Sequence, residues 1–238
     1  MTINDEVTVS KALKGGRGED HIAKWAAEQG WLWSPPVSST QADKGATLIL
    51  AHGAGAAMDS DFMNQMALRL AKLGVGVLRF EFPYMAQRRI DGGKRPPNPQ
   101  PKLLESWRQI YEAVRPLISG RLAIGGKSMG GRMASLIADD LNVDALVCLG
   151  YPFYAVGKPE KPRVGHLEFL STPTLIVQGE RDALGNRQAV EGYVLSKAIV
   201  VHWLATANHD LKPLKSSGVS HEACLEEAAE QIARRLLD

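Results

Sequence analysis

Cysteine is scarce in this chain. Cys148 lies in an apolar run and Cys224 in a helical pattern, the two cysteines among 238 residues. That is too few for a disulfide framework, and they lack the spacing of a metal site. A reducing compartment fits such usage. An excess of one charge sign is missing as well: 28 Lys and Arg face 26 Asp and Glu, a formal net charge of +2. Neither a nucleic-acid footprint nor an acidic solvating tail is expected. No uninterrupted apolar run approaches the roughly eighteen residues that a membrane span needs. The N-terminal stretch carries Asp5, Glu6, Glu19 and Asp20 where a secretory signal would have an apolar core. The expectation is a cytoplasmic protein with no nucleic-acid or membrane partner, a homodimer being left open. Internal repeats are absent too. The one biased tract, residues 94–101 with prolines at 96, 97, 99 and 101, cannot enter a central strand and is expected to cross the surface.

What is present reads as a series of βα units. The length suits one sizeable core. Residues 1–20 are polar and interrupted by glycine, the composition of a loose N-terminal arm, and residues 21–238 are expected to form a single domain. Short apolar runs predict strands at 47–51, 75–82, 121–124, 145–149, 174–178 and 199–204. Most are hydrophobic throughout, as parallel strands covered on both faces are. Helical periodicity predicts helices at 62–73, 103–118, 131–140, 187–195 and 220–236, with Gly74 ending the first and Ser220 opening the last. Residues 21–46 show no convincing pair of strands; Trp25, Trp31 and Trp33 are read as packing a helix and one short strand across the sheet edge.

The strongest signal is Leu122-Ala123-Ile124-Gly125-Gly126-Lys127-Ser128-Met129-Gly130-Gly131, a strand entering a Gly-x-Ser-x-Gly turn that opens a helix. A serine on so sharp a turn is strained, and side chains two residues before and after it would collide. Gly126 and Gly130 relieve that crowding.

A serine hydroxyl is a poor nucleophile until a base takes its proton, and the base needs a carboxylate to orient it. With a nucleophile of this kind both follow in chain order, acid first, each just past a strand end. Asp182, after Gln178-Gly179-Glu180-Arg181, meets the requirement for the acid, and His209, after Ala207-Asn208, meets that for the base. Glu180 and Asp210 are the nearest rival carboxylates. The loop His52-Gly53-Ala54-Gly55 follows the first predicted strand, where small residues allow a backbone N–H to approach the reacting carbonyl. The oxyanion hole is assigned to the N–H groups of Ala54 and Met129, and His52 is read as a structural residue hydrogen-bonded behind the loop.

Some two dozen residues separate the strand at 145–149 from the one at 174–178, too few for a helical cap, so an open site is expected. Gly53, Tyr84, Arg88, Tyr151 and Phe153 are its candidate substrate-binding residues, with Tyr84 and Arg88 placed on a loop after the strand at 75–82. The cations of that loop, Arg88, Arg89, Lys94 and Arg95, are more often a solvated charge run than an anion site.

Together these segments resemble the α/β-hydrolase superfamily. More narrowly, they resemble the dienelactone-hydrolase-like branch that contains the KANL3/Tex30-type hydrolase-like proteins. The narrower match rests on His52-Gly53-Ala54-Gly55 with Met58-Asp59, the segment from Gly125 to Gly131, Gly150-Tyr151-Pro152, Gly157-Lys158-Pro159, Gln178-Gly179-Glu180-Arg181-Asp182 and Ala207-Asn208-His209. The resemblance implies an α/β fold class: a three-layer α/β/α hydrolase fold on a mostly parallel sheet, without a large cap domain. The activity it implies is hydrolysis of a small-molecule carboxylic ester, thioester or lactone by Ser128, His209 and Asp182, with no metal and no organic cofactor. A non-catalytic interaction module and a small peptidase are the alternatives.

Overall fold

Apolar runs become strands here where both faces are covered. In the computed structural model, which describes residues 18–37 and 45–238, helix α1 (Gly18–Glu28) and strand β1 (Leu32–Ser34) come first. They are followed by β2 (Ala46–Ala51), α2 (Asp61–Lys72), β3 (Val75–Phe80), α3 (Pro83–Asp91), α4 (Gln100–Val114), β4 (Arg121–Lys127) and α5 (Met129–Ser135). Then come β5 (Ala145–Leu149), β6 (Thr174–Gly179), α6 (Arg187–Val190), β7 (Ile199–Leu204) and α7 (His221–Leu237). Among the described residues the strands form one seven-stranded sheet in the order β1-β3-β2-β4-β5-β6-β7. It is parallel except for β1, which pairs antiparallel with β3. The arm expected over residues 1–20 lies outside the described residues up to residue 17; its last three residues open α1.

The alternation of side chains along β2 builds the three layers. Leu48 and Leu50 share a core with Met63, Met66 and Leu70 of α2 and with Leu225 and Ile232 of α7. Ile49 and Ala51 belong to the core on the other face, with Ile22 of α1, Trp107 and Ile110 of α4 and Met133 of α5. The N-terminal tryptophans pack at the sheet edge as a helix and one short strand. Trp25 and Trp31 meet edge to face with centroids 5.0 Å apart, and Trp31 reaches Phe80 of β3 at 6.0 Å.

Several boundaries differ from the sequence expectation. The strand expected over 75–82 stops at Phe80, and the segment expected as a loop is the helix α3. Pro83 stands in its first turn, where a missing N–H costs nothing, and Gly92 ends it at φ 70°. Helix α4 begins at Gln100, inside the proline tract, because Pro99 and Pro101 occupy its cap and first turn. The helix after Ser128 is shorter than expected, and α6 is a single turn. No helix interrupts residues 150–173 between β5 and β6, so the sheet carries no cap there.

The chain moves from β2 outward to β3 and then crosses to β4 on the other side of β2. The loops leaving the C-terminal ends of β2 and β4 therefore diverge and leave a crevice between them, the usual place for a ligand in such sheets. Ala51 pairs with Gly126 at this point, so His52-Gly53-Ala54 and Ser128 start from adjacent strand ends.

Candidate active site

Ser128 has φ 50° and ψ −115°, a conformation that side-chain-bearing residues rarely adopt and that must be held by its surroundings. Its N–H donates to the Leu149 carbonyl at 2.9 Å. The two flanking glycines are required by close backbone approach. A Cβ at Gly126 would stand 2.6 Å from the Ala51 oxygen, and one at Gly130 would stand 2.6 Å from the His52 oxygen.

One imidazole joins three strand ends. His209 Nε2 lies 2.9 Å from Ser128 Oγ, and Nδ1 lies 2.7 Å from Asp182 Oδ2. An ionised carboxylate can only accept, so Nδ1 carries the ring proton and Nε2 is free to accept from the serine hydroxyl. Asp182 is fully buried and each of its oxygens has a protein donor. Gln178 Nε2 reaches Oδ2 at 2.9 Å, and the Leu184 N–H reaches Oδ1 at 2.8 Å. The rivals are engaged elsewhere: Glu180 accepts from the Thr206 N–H and from Arg187, each at 3.0 Å, which holds its carboxyl below the usual range. Asp210 is exposed and pairs with Lys127 at 3.4 Å.

Two positioning groups carry no signal in the motif itself. Lys127 Nζ donates to the His209 carbonyl at 2.9 Å, and burial lowers the amine's pKa. Gln178 holds Asp182 while its Oε1 accepts from the Tyr151 N–H at 2.7 Å. A lysine and a glutamine at the ends of strands buried along nearly their whole length are the available signal, because such groups need partners.

The serine opens onto a cavity of about 340 Å³. Residues 53–56 form one wall, Phe62 and Met63 lie along it, and Lys127, Ser128 and His209 close the other side. Of the five expected substrate-binding residues, Gly53 lines this cavity; Tyr84, Arg88, Tyr151 and Phe153 do not. Tyr84 turns inward from the first turn of α3, is 3% exposed, and donates its hydroxyl to the Ala54 carbonyl. Arg88 sits one turn further along that helix. Tyr151 and Phe153 are wholly buried and pack edge to face with centroids 4.8 Å apart, so they support the site from within the core. Of the expected surface cations, Arg89 bonds both Asp59 and Glu81, and Arg95 bonds Asp91.

Ala54 is exposed on the loop above Ser128. Met129 is the first residue of α5, where a helix N–H has no acceptor within the helix. His52 lies behind the loop, fully buried, and its Nε2 accepts from the Phe82 N–H at 3.1 Å. Among the described residues no three His, Cys, Asp or Glu side chains converge to hold a metal ion, and no helix is long and apolar enough to cross a membrane. A larger cavity of about 450 Å³ lies at the opposite ends of the strands, lined by Arg121, Ala145 and Leu175, and contains none of the expected site residues.

A family model described as an alpha/beta hydrolase domain matches residues 44–236. Among solved structures, an alpha-beta serine hydrolase homologue from Coxiella burnetii superposes with a TM-score of 0.65 at 21% identity, covering 87% of this chain and 90% of its own. Dienelactone hydrolase from Anabaena variabilis gives 0.63 at 19%, covering 86% and 88%. Est1E from Butyrivibrio proteoclasticus gives 0.62 at 16%, covering 87% and 94%. No curated protein matches the chain.

Proposed function

This chain belongs to the alpha/beta hydrolase family, and from that premise we propose that it is a serine hydrolase of small carboxylic esters, thioesters or lactones. Ser128 Oγ attacks the carbonyl carbon while His209 Nε2 takes its proton. Asp182 fixes the tautomer and stabilises the imidazolium that forms. The negative charge moving onto the carbonyl oxygen is received by the N–H groups of Ala54 and Met129. His209 then returns the proton to the leaving group, and a water molecule activated by the same imidazole hydrolyses the acyl-enzyme. Apart from the substrate and that water, every group in these steps belongs to the chain, with no metal or organic cofactor called on.

The observation that carries the reading is the pair of hydrogen bonds through His209, 2.9 Å to Ser128 and 2.7 Å to a buried carboxylate. A cavity of about 340 Å³, with no helix between β5 and β6 to cap it, favours a compact substrate. Residues 53–56 and Phe62 offer it mainly small and apolar contacts.

The test is Ser128→Ala. Wild-type protein is expected to turn over p-nitrophenyl acetate and to be labelled by a fluorophosphonate, and the variant to do neither while keeping its thermal midpoint. Labelling of the variant would remove Ser128 as nucleophile; an unlabelled wild type would favour a non-catalytic module.

A further inference from the structure

The loop between β2 and α2 has its first carbonyls anchored on one side. His52 Nδ1 lies 2.6 Å from the Gly53 carbonyl oxygen, while Nε2 accepts from Phe82. The ring is therefore the neutral tautomer with its proton on Nδ1, donated to Gly53, and burial keeps its pKa below the ordinary value. Tyr84 donates its hydroxyl to the Ala54 carbonyl at 2.9 Å and stands 3.4 Å from that of Gly53. Burial pushes the phenol's pKa up to about 12, so it stays a donor at any working pH.

In a trans peptide the C=O and the following N–H point in opposite directions. Anchoring the Gly53 and Ala54 carbonyls on His52 and Tyr84 therefore turns the N–H groups of Ala54 and Gly55 to the other side of the loop. That side is the cavity: residues 53–55 line it with Ser128 and His209, and a Cβ built on Gly53 would stand 3.8 Å from Ser128 Cβ. Residues 54–56 are exposed, so their own burial does not fix this orientation.

We propose that Tyr84 and His52 are positioning residues for the oxyanion hole: by holding the carbonyls of Gly53 and Ala54 away from the cavity, they aim the N–H of Ala54 at the oxyanion. Neither side chain touches substrate, since both lie beneath the loop. The inference rests on the serine-hydrolase reading above.

Tyr84→Phe keeps the buried ring and removes only the hydroxyl. Active sites are counted by fluorophosphonate titration, so misfolded protein drops out of the comparison. Per active site, kcat is expected to fall on the order of tenfold, with KM held within about twofold. Affinity for a trifluoromethyl ketone should fall by the same factor as kcat. That inhibitor forms a bond from Ser128 Oγ to its carbonyl carbon, with the hydroxyl proton passing to His209 and the charge to the ketone oxygen, so it reports on the hole itself. A merely structural tyrosine would lower the titratable fraction and the thermal midpoint while leaving both per-site quantities unchanged, and that result overturns the proposal. If Tyr84→Phe yields no titratable enzyme, His52 decides. An Asn amide stands near the place of Nδ1 and a Gln amide near that of Nε2, so His52→Asn should retain more kcat per site than His52→Gln. The reverse order overturns the proposal. Unlabelled wild type would sink the hydrolase reading itself; labelled wild type with an unaffected Tyr84→Phe sinks only this inference.

Discussion

Lys127 Nζ donates to the main-chain carbonyl of His209 across 2.9 Å, tying the residue before Ser128 to His209. The ammonium also faces Asp210 at 3.4 Å and lies 5.6 Å above the Phe62 ring. It is a strut under the imidazole loop, and a costly one, because burial disfavours the charged amine. Replacing the lysine with methionine keeps the stem and removes both the tie and the desolvated charge. Lys127→Met is therefore expected to lower kcat by roughly tenfold to a hundredfold through loss of alignment, while stability to urea stays level or rises. Steady-state kinetics beside urea unfolding check this; unaltered kcat in the folded variant would refute the strut.

The glycines around Ser128 are expected to differ sharply in what they tolerate. A Cβ at Gly130 would lie 2.6 Å from the His52 oxygen and 2.7 Å from the Ala51 oxygen, both backbone atoms that cannot step aside. At Gly53 the nearest atoms are 3.7 Å away, ordinary contact. Gly130→Ala should cost about 1–3 kcal/mol of unfolding free energy and most of the activity. Gly53→Ala should unfold within about 0.5 kcal/mol of wild type. Equal unfolding midpoints for the two variants would contradict the close approach at Gly130.

These contrasts mark what the residues disclose locally and what they do not. Strands such as Ala145–Leu149 were legible because a run apolar on both faces has few other uses, and the serine turn because its glycines answer a local steric need. The chain order of Asp182 and His209 followed from the same architecture. Helix α3 was not legible. Its inward residues are Tyr84 and Met85, too few to show a period, and it is held instead by Pro83, Gly92 and the bonds from Arg89 to Asp59 and Glu81. Once that segment is a helix, Tyr84 is carried under the loop at residues 53–55 and away from the mouth. Tyr151 and Phe153 read equally well as loop surface or core, because their burial is decided by β6 and by residues 184–193, distant in sequence.

Two phenylalanines should separate core from site. Phe153 is fully buried against Tyr151, so Phe153→Ala is expected to cost about 3–5 kcal/mol of stability, with KM unchanged in whatever fraction folds. Phe62 is half-buried and lines the cavity. Phe62→Ala should raise KM for esters with an apolar group, at about 1–2 kcal/mol or less in stability. Comparing KM across a short series of acyl chain lengths, together with urea unfolding, distinguishes the two; a selective KM change in Phe153→Ala would return that residue to the substrate wall.

His166 supplies a pH dependence separable from catalysis. Its Nε2 lies 2.8 Å from Ser135 Oγ and 3.4 Å from the Tyr151 hydroxyl. Burial, with the nearby Arg132 cation, lowers its pKa to about 4 from an ordinary 6.5. The unfolded chain therefore binds a proton between those values that the folded protein refuses, so the contribution to stability is complete above pH 6.5 and declines as the pH falls toward 4. Allowing for solvent screening of a ring that is only partly buried, this contribution amounts to about 1–2 kcal/mol. Carboxylates elsewhere titrate in the same range, so the informative quantity is a difference. The loss of unfolding free energy from pH 7 to pH 4.5 should be smaller in His166→Gln than in wild type by about 1 kcal/mol or more. Gln can still hydrogen-bond to Ser135, so the neutral-pH stabilities of the two proteins should lie close together. Parallel stability curves across that interval would mean that the imidazole titrates freely and that its burial is only apparent.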